Sequence, residues 1–158
     1  MSFSESAWKI FNQSINEYHQ KDDVDTPINN SFEKNTLEWL LYAKNWIDTV
    51  QWHLEDIIRD ENIEPLEALK IKRRIDSSNQ QRTDLVEFID SWFLQKYENI
   101  TPEPDAKINS ETPAWAVDRL SILALKVYHM SLEANRSSAT EEHRFNCTSK
   151  LNVLLEQK

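Results

Sequence analysis

Glycine is absent from this chain of 158 residues, although an average usage of about 7% would supply roughly eleven. Glycine is the residue that adopts positive φ without steric cost and lets a backbone approach a phosphate group closely. Its absence excludes the glycine-dependent phosphate loop, the dinucleotide-binding GxGxxG turn and the GxSxG nucleophile elbow. Tight Asn-Gly and Asp-Gly hairpins are excluded as well, so the chain is expected to be helical throughout.

Apolar residues recur at the three- and four-residue spacing of helices, and they predict an all-α bundle of about five helices. Pro65 and Pro113 stand where a first helical position is expected, which supports two of the boundaries. The second and third helices are long and should pack antiparallel at the centre of the bundle. The length predicts one domain, residues 1–158. The predicted helices cover residues 4–19, from Ser31 or Asn35 to 60, 65–98, 113–135 and from 139 toward the C-terminus.

The charge balance argues against two classes of partner. The chain carries 27 acidic and 18 basic residues, a formal charge of -9, and its basic residues do not gather into a tail or stripe. Nucleic acid and anionic membrane surfaces are therefore not expected partners. The one cysteine excludes an internal disulfide, the opening residues lack a basic segment followed by an apolar one, and no apolar run has the length of a membrane span. We expect a soluble cytoplasmic protein.

The third predicted helix contains a polar stretch that hydrophobic packing does not explain. Nine polar residues follow one another without a break from Asp76 to Asp84. A helix that packs against a core should present an apolar residue at every third or fourth position. Here Asn79 and Arg82 take two such positions between Ile75 and Val86, and their side chains are expected to face inward.

Helix geometry indicates which polar residues should meet these two. If the second and third helices turn near residues 62 and 63, residues whose numbers sum to about 125 lie side by side. The same logic across residues 99–112, a long irregular segment that is either a lid or a crossover, brings His129 near Arg82 and Asp118 near Phe93. The predicted polar layer at the middle of the bundle consists of Asn45, Asp48, Asp76, Asn79, Gln80, Arg82 and His129.

This polar layer has three interpretations. A buried arginine or carboxylate is costly unless it finds a partner, so the layer should be a closed hydrogen-bond network that fixes the register of the helices, or the wall of a ligand cavity. A cavity would hold a small polar ligand. In the third interpretation, the polar stretch faces a protein partner or a second copy of the chain.

His53, Asp56 and Asp60 share one face of the second helix and have side chains that a divalent metal could accept. They lie close to the turn between the two long helices, where surface salt bridges are the alternative explanation. The sequence thus leaves open a divalent metal cofactor at this face.

An enzyme interpretation rests on acidic pairs. Helical hydrolases of nucleoside triphosphates hold magnesium through ExxE and ExxD patterns on two helices. Glu87 and Asp90 fit the second pattern, whereas Glu55, Asp56 and Asp60 fit the first poorly. The predicted hairpin separates the two sets by roughly 30 Å, at about 1.5 Å per residue. A metal-dependent nucleotide pyrophosphohydrolase is therefore retained only as an alternative.

Three long segments, NTLEWLLYAKNWIDTVQWHLEDIIRD, LKIKRRIDSSNQQRTDLVEFID and TPAWAVDRLSILALKVYHM, resemble an uncharacterised bacterial family known only as a domain of unknown function. The resemblance covers most of residues 35–156. It implies an all-helical cytoplasmic protein without an established activity, whose relatives can occur near genes for cell-envelope glycosyltransferases. It supplies no catalytic residues.

These observations together favour a helical bundle that binds a small polar or phosphorylated ligand, or that assists the synthesis of a cell-envelope glycan, through the mid-bundle layer and Arg82. The alternatives are the pyrophosphohydrolase and a structural or protein-interaction module. An enzyme needs a convergent acid, base or metal set, while a binding protein needs only matched donors and acceptors.

Overall fold

The computed structural model describes residues 2–158 and confirms an all-α bundle of five helices. No strand occurs within these residues. None of the helices in residues 2–158 has both the length and the apolar character needed to cross a membrane. The helices are α1 Phe3–Tyr18, α2 Leu37–Ile58, α3 Pro65–Lys96, α4 Pro113–Asn135 and α5 Glu141–Glu156.

Hydroxyl side chains define where three of the helices begin. Ser2 and Glu5 form a reciprocal capping box at α1, which begins at Phe3, one residue before the predicted start. The Thr36 side chain accepts a backbone N–H of α2, and the Thr140 side chain accepts one of α5. Such caps satisfy donors that the first turn of a helix leaves without a partner.

Two residues outside the helices adopt the left-handed conformation that usually favours glycine. Asp22 has φ 53° and Asn35 has φ 70°. Asparagine and aspartate tolerate this region better than most residues with a side chain. The backbone N–H of Asp22 donates to the Tyr18 carbonyl at 3.0 Å. This turn holds the Asp22 carboxylate beside the C-terminal end of α1.

Helix α2 lies at the centre of the bundle and packs against α1, α3 and α4. Helix α4 contacts α1 and α3 on its other sides, and α5 packs on α4 alone among the described helices. A small second cluster joins Leu54 of α2 to Ile71 and Ile75 of α3. The fully buried apolar residues of the main core include Ala7, Phe11, Ile15, Tyr18, Tyr42, Ile89, Ala124 and Leu125.

The two long helices pack with a register different from the predicted one. Asp48 pairs with Arg82, whereas the predicted hairpin would have placed it level with Ser77, five residues earlier. The cause lies at the start of α3, where Leu66 is 76% exposed and Ile71 is the first buried residue. The first turns of α3 therefore project past the end of α2, and every later residue of α3 is displaced along its partner.

Candidate functional site

Four charged side chains meet between α2, α3 and α4, and we call them the charge layer: Lys44, Asp48, Arg82 and Asp118. The Lys44 Nζ lies 2.5 Å from Asp48 Oδ2 and 2.6 Å from Asp118 Oδ1. The Arg82 Nε donates to Asp48 Oδ1 at 2.6 Å, and its Nη2 lies 3.5 Å from Asp118 Oδ1. The side chains of Lys44 and Asp48 are 0% exposed. Two cations and two anions leave this layer electrically neutral.

Neutral side chains complete the coordination of the charge layer. The Ser121 Oγ donates to Asp48 Oδ2 at 2.6 Å, and Asn45 Nδ2 donates to Ser121 Oγ at 3.0 Å. Both carboxylate oxygens of Asp48 are thereby occupied. Buried charges are tolerated when they are paired and hydrogen-bonded, and removing one partner is strongly destabilising. The charges of the layer are therefore paired across α2, α3 and α4, whereas the Asn45 Oδ1 at its edge has no hydrogen-bond partner within residues 2–158.

Three of the predicted layer residues, Asn45, Asp48 and Arg82, lie in this network. Asn79 was predicted to face inward, but the structure places it beside the network as an exposed residue, whose Oδ1 accepts a hydrogen bond from the Gln51 Nε2 at 2.8 Å. The Gln51 Oε1 accepts in turn from the Ser78 Oγ at 3.0 Å. A short amide and hydroxyl chain therefore continues the layer along the contact between α2 and α3.

Asp76 and Gln80 were predicted to face inward, and the structure corrects this. Both are exposed. Asp76 pairs with Lys72 on the surface of α3, and the Gln80 side chain donates to Asp84 at 2.8 Å. The helical spacing explains the difference, because Asp76 and Gln80 lie off the stripe of α3 that includes the buried residues Ile75 and Ser78.

The register of α4 also differs from the predicted one. Asp118, not His129, lies opposite Arg82. Asp90 determines this position, because its carboxylate accepts from the Thr112 Oγ1 at 2.6 Å and from the Ala114 backbone N–H at 3.1 Å. Asp90 thus caps the start of α4, which is a structural role for one of the residues of the enzyme alternative.

Sequence reasoning missed Lys44 as a member of the layer and did not assign Asp118 or Ser121 to it. Lys44 occupies a position of the apolar seam of α2, where its aliphatic stem fits the helical pattern. A signal was present, since a lysine on an apolar seam with an aspartate four residues later is the spacing of a helical ion pair. The positions of Asp118 and Ser121 in the layer can be inferred only when the register of α4 is known.

A second polar group, the histidine cluster, consists of His19, His53 and His129. His19 follows α1 as its C-terminal cap, His53 belongs to α2 and His129 to α4. One ring nitrogen of each histidine lies within 4.8 Å of those of the other two. His53 Nε2 and His19 Nε2 are 3.2 Å apart. Three separate segments therefore bring three imidazoles to one point.

The hydrogen bonds of the histidine cluster leave one buried ring nitrogen available. His19 Nδ1 lies 2.7 Å from the Ile15 carbonyl, which can only accept, so Nδ1 carries the proton and the Nε2 of neutral His19 has a lone pair that accepts from His53 Nε2 at 3.2 Å. The buried Nε2 of His129 has no hydrogen-bond partner within residues 2–158. The cluster thus contains one buried ring nitrogen, that of His129, which the protein itself does not satisfy.

Aromatic rings hold the histidine cluster in place. Tyr18 stacks on His53 with ring centroids 5.1 Å apart, and Trp52 stacks on His129 at 4.8 Å with an interplanar angle of 6°. Burial, together with the neighbouring imidazoles, lowers the pKa of His129 to about 4. Burial also lowers the pKa of His53. Both rings are therefore neutral near pH 7, the form that binds a metal ion.

Asp22 brings a carboxylate to the edge of the histidine cluster. Its Oδ1 lies 3.7 Å from His53 Nε2 and 3.9 Å from His19 Nε2, and its side chain is 60% exposed. The two aspartates predicted to accompany His53 are engaged elsewhere on the surface. Asp56 pairs with Arg59 at 2.8 Å, and Asp60 accepts the backbone N–H of Asn62 at 2.9 Å.

Residues 38–158 match the family model described as protein of unknown function (DUF4254), and the chain belongs to this family. Searches of the curated proteins and of the solved structures find no match to the chain. The matched range includes His53, His129 and all four residues of the charge layer, whereas His19 and Asp22 precede it.

Proposed function

We propose that this protein binds one divalent transition metal ion at the histidine cluster. The observation that carries the proposal is the convergence of three imidazole nitrogens within 4.8 Å from three segments of the fold. Asp22 would supply an oxygen ligand in the fourth position. This assignment retains His53 from the predicted metal set and replaces Asp56 and Asp60.

The spacing of the nitrogens suits a tetrahedral ion. Two nitrogens bound to one Zn²⁺ at about 2.0–2.1 Å stand about 3.3 Å apart in tetrahedral geometry. His19 and His53 are already 3.2 Å apart. His129 lies within 4.8 Å, so an approach of about 1.5 Å, which side-chain rotation can provide, completes the set.

The environment of His19 supports the same proposal. Histidines that bind metals usually donate their other ring N–H to a carbonyl or carboxylate, which fixes the tautomer and the ring orientation. The His19 Nδ1 donates to the Ile15 carbonyl in this manner. This bond directs Nε2 toward the other two rings.

The donor set indicates the class of metal. Imidazoles suit zinc, copper, iron and nickel, whereas magnesium and calcium prefer sets made of oxygen atoms. Because Asp22 is 60% exposed, water could replace its carboxylate, and the ion would then keep the three imidazoles and an exchangeable fourth position. Three protein ligands with an exchangeable fourth position is the pattern of catalytic zinc, while structural zinc sites are closed.

Isothermal titration of Zn²⁺ into chelator-treated protein tests the proposal. We expect one equivalent to bind, and His53→Ala and His129→Ala to weaken binding by about a hundredfold or more, since even the loss of an outer partner costs about 10–100-fold. The matched control is His143→Ala, because His143 is the fourth histidine and lies on α5, outside the cluster. Binding lost in His143→Ala and kept in the cluster variants would refute the assignment. Circular dichroism of each variant shows whether it is folded. The variant His53→Gln keeps a polar side chain at that position, so it tests the loss of the ligand with less disturbance of the packing.

A cavity beside the charge layer supports a second candidate function, the binding of a small polar molecule. It has a volume of about 230 Å³ and includes Arg82, Gln51 and Trp52 in its wall. Three carboxylates, from Asp48, Glu55 and Asp56, and two guanidinium groups, from Arg59 and Arg82, line it. This balance favours a neutral polar ligand over a phosphorylated one.

A thermal-shift screen of neutral monosaccharides, with nucleotide sugars as the phosphorylated comparison and with Arg82→Ala as the variant, tests this second candidate. A ligand that stabilises the wild type and not the variant is the expected result. Equal shifts in both proteins would exclude the cavity as the binding site.

A further inference from the structure

An apolar cleft lies where α5 packs on α4. It shares Trp52 with the cavity beside the charge layer and His129 with the histidine cluster. Its volume is about 590 Å³. Trp52 of α2 forms one wall, and Met130, Val153 and Leu154 supply further apolar surface. His129 also lines it, so the cleft adjoins the histidine cluster.

The cleft exposes apolar surface that a partner molecule could cover. Val153 is 54% exposed, although it belongs to α5, which packs on α4 alone among the described helices. Covering apolar surface gains about 25 cal/mol for each Å² removed from water. The volume lies in the range of about 300–1,000 Å³ that is typical of small-molecule sites.

The charges at the rim indicate which ligand would fit. Lys126 of α4 and Lys150 of α5 both line the cleft and are exposed. Neither amine forms an ion pair with any residue between Ser2 and Lys158. The acidic residue of the lining, Glu133, is already paired with Arg136 and His143. In a chain of net charge -9, two unpaired lysines beside one apolar cleft are complementary to a single anion.

We propose that this cleft binds a monomeric long-chain carboxylate, such as a fatty acid. Its hydrocarbon tail would lie between α4 and α5 against Trp52, and its carboxylate would lie between Lys126 and Lys150. Lysine stems add apolar surface on the way to the charged head, which suits an amphiphile at the rim. The proposal does not depend on the metal site.

Calorimetric titration with dodecanoate below its micelle concentration tests the proposal. We expect one equivalent to bind and dodecyltrimethylammonium, which reverses the head-group charge, to bind at least about tenfold more weakly. Lys126→Glu combined with Lys150→Glu should weaken dodecanoate binding by about tenfold. Lys107→Glu, in the exposed connection before α4, is the charge-matched control and should leave binding unchanged.

A second pair of variants tests the cleft itself. Val153→Trp should block the cleft and abolish binding, whereas Leu155→Trp, at a residue that is 48% exposed and not part of the lining, should not. His53→Ala should remove metal binding and keep dodecanoate binding, so the two proposals can fail separately. Equal affinity for both head groups, or unchanged binding by Val153→Trp, would overturn the assignment. Binding to anionic phospholipid vesicles without binding of the monomer would also overturn it, in favour of a membrane surface.

Discussion

The charge layer and the histidine cluster both use side chains of α2 and α4, together with α3 in the first and the end of α1 in the second, but they differ in how the protein pairs their titratable groups. In the charge layer, Lys44 and Asp48 are 0% exposed and each ionised group has an opposite charge within 3.5 Å. In the histidine cluster, the His129 Nε2 is buried without a hydrogen-bond partner in the described chain. Charges that are paired within the protein stabilise a fold, whereas an unpaired buried ring nitrogen is an atom that water or a ligand can satisfy.

The largest expected effect is the loss of one partner from the charge layer. Asp48→Asn keeps the side-chain shape and leaves Lys44 buried with less compensation, so the free energy of unfolding should fall by about 3–5 kcal/mol. Urea denaturation followed by circular dichroism measures it. Asp76→Asn removes an exposed carboxylate of α3 and should change stability by less than about 0.5 kcal/mol. If Asp48→Asn and Asp76→Asn lost the same stability, the paired charges of the layer would not be stabilising the bundle.

The second prediction tests whether the two regions are independent. Zn²⁺ at about 100 times its dissociation constant should raise the free energy of unfolding by about 2.7 kcal/mol. Zn²⁺ should raise the free energy of unfolding of Asp48→Asn by the same amount, although this variant is less stable without the metal. Contributions of sites without shared partners add. His129→Ala should show none. An increment that disappears in Asp48→Asn would place the metal in the charge layer instead.

The pH dependence of stability should belong to the histidine cluster. Burial holds the pKa of folded His129 at about 4, below the ordinary histidine value of 6.5, so the unfolded chain binds more protons between these values. Stability contributed by neutral His129 is therefore complete above about pH 6.5 and is lost as the pH falls toward 4. After allowance for partial exposure, the loss between pH 7 and 4.5 should be about 2 kcal/mol.

Comparison of variants isolates this contribution from other titrating groups. His129→Leu should lose stability over that pH interval by about 2 kcal/mol less than the wild type. His143→Ala should follow the wild type. Identical pH profiles for the wild type and His129→Leu would show that the ring is not held neutral by its surroundings.

The smallest effect is expected at the solvent edge of the charge layer. Asp118 is 16% exposed, and Lys44 keeps Asp48 as a partner when the Asp118 charge is removed. Asp118→Asn should therefore cost about 1 kcal/mol, well below the cost of Asp48→Asn. Urea denaturation measures the difference. If Asp118→Asn cost more stability than Asp48→Asn, the less buried carboxylate would contribute more than the buried one, which contradicts this description of the layer.

Part of this architecture could be predicted from the sequence because its signals are local. The helices follow from apolar periodicity and from Pro65 and Pro113 at first helical positions. The polar interruption of the apolar seam of α3 predicts that Arg82 faces inward. The structure confirms this, and it places Asn45 and Asp48 in the same layer. Such inferences need only the spacing of residues within one helix.

The remainder depends on contacts between segments that are distant in sequence. The register of α3 depends on its first turns, before Ile71, which extend past the end of α2. The register of α4 depends on Asp90, which caps its start. His19 meets His53 only because α1 ends beside α2, and Asp22 reaches them through a left-handed turn. No periodicity within a single helix contains that information, so the histidine cluster could not be assembled from spacing alone.

The most direct test of the difference between the two regions is the visible absorption spectrum of the Co²⁺-loaded protein. Tetrahedral Co²⁺ with imidazole ligands absorbs far more strongly than the hydrated octahedral ion, and the spectrum therefore reports coordination geometry. We predict an intense tetrahedral spectrum that saturates at one equivalent, that is lost in His53→Ala and that is retained in Asp48→Asn. A spectrum of hydrated Co²⁺ in the wild type, or one unaffected by His53→Ala, would contradict the account.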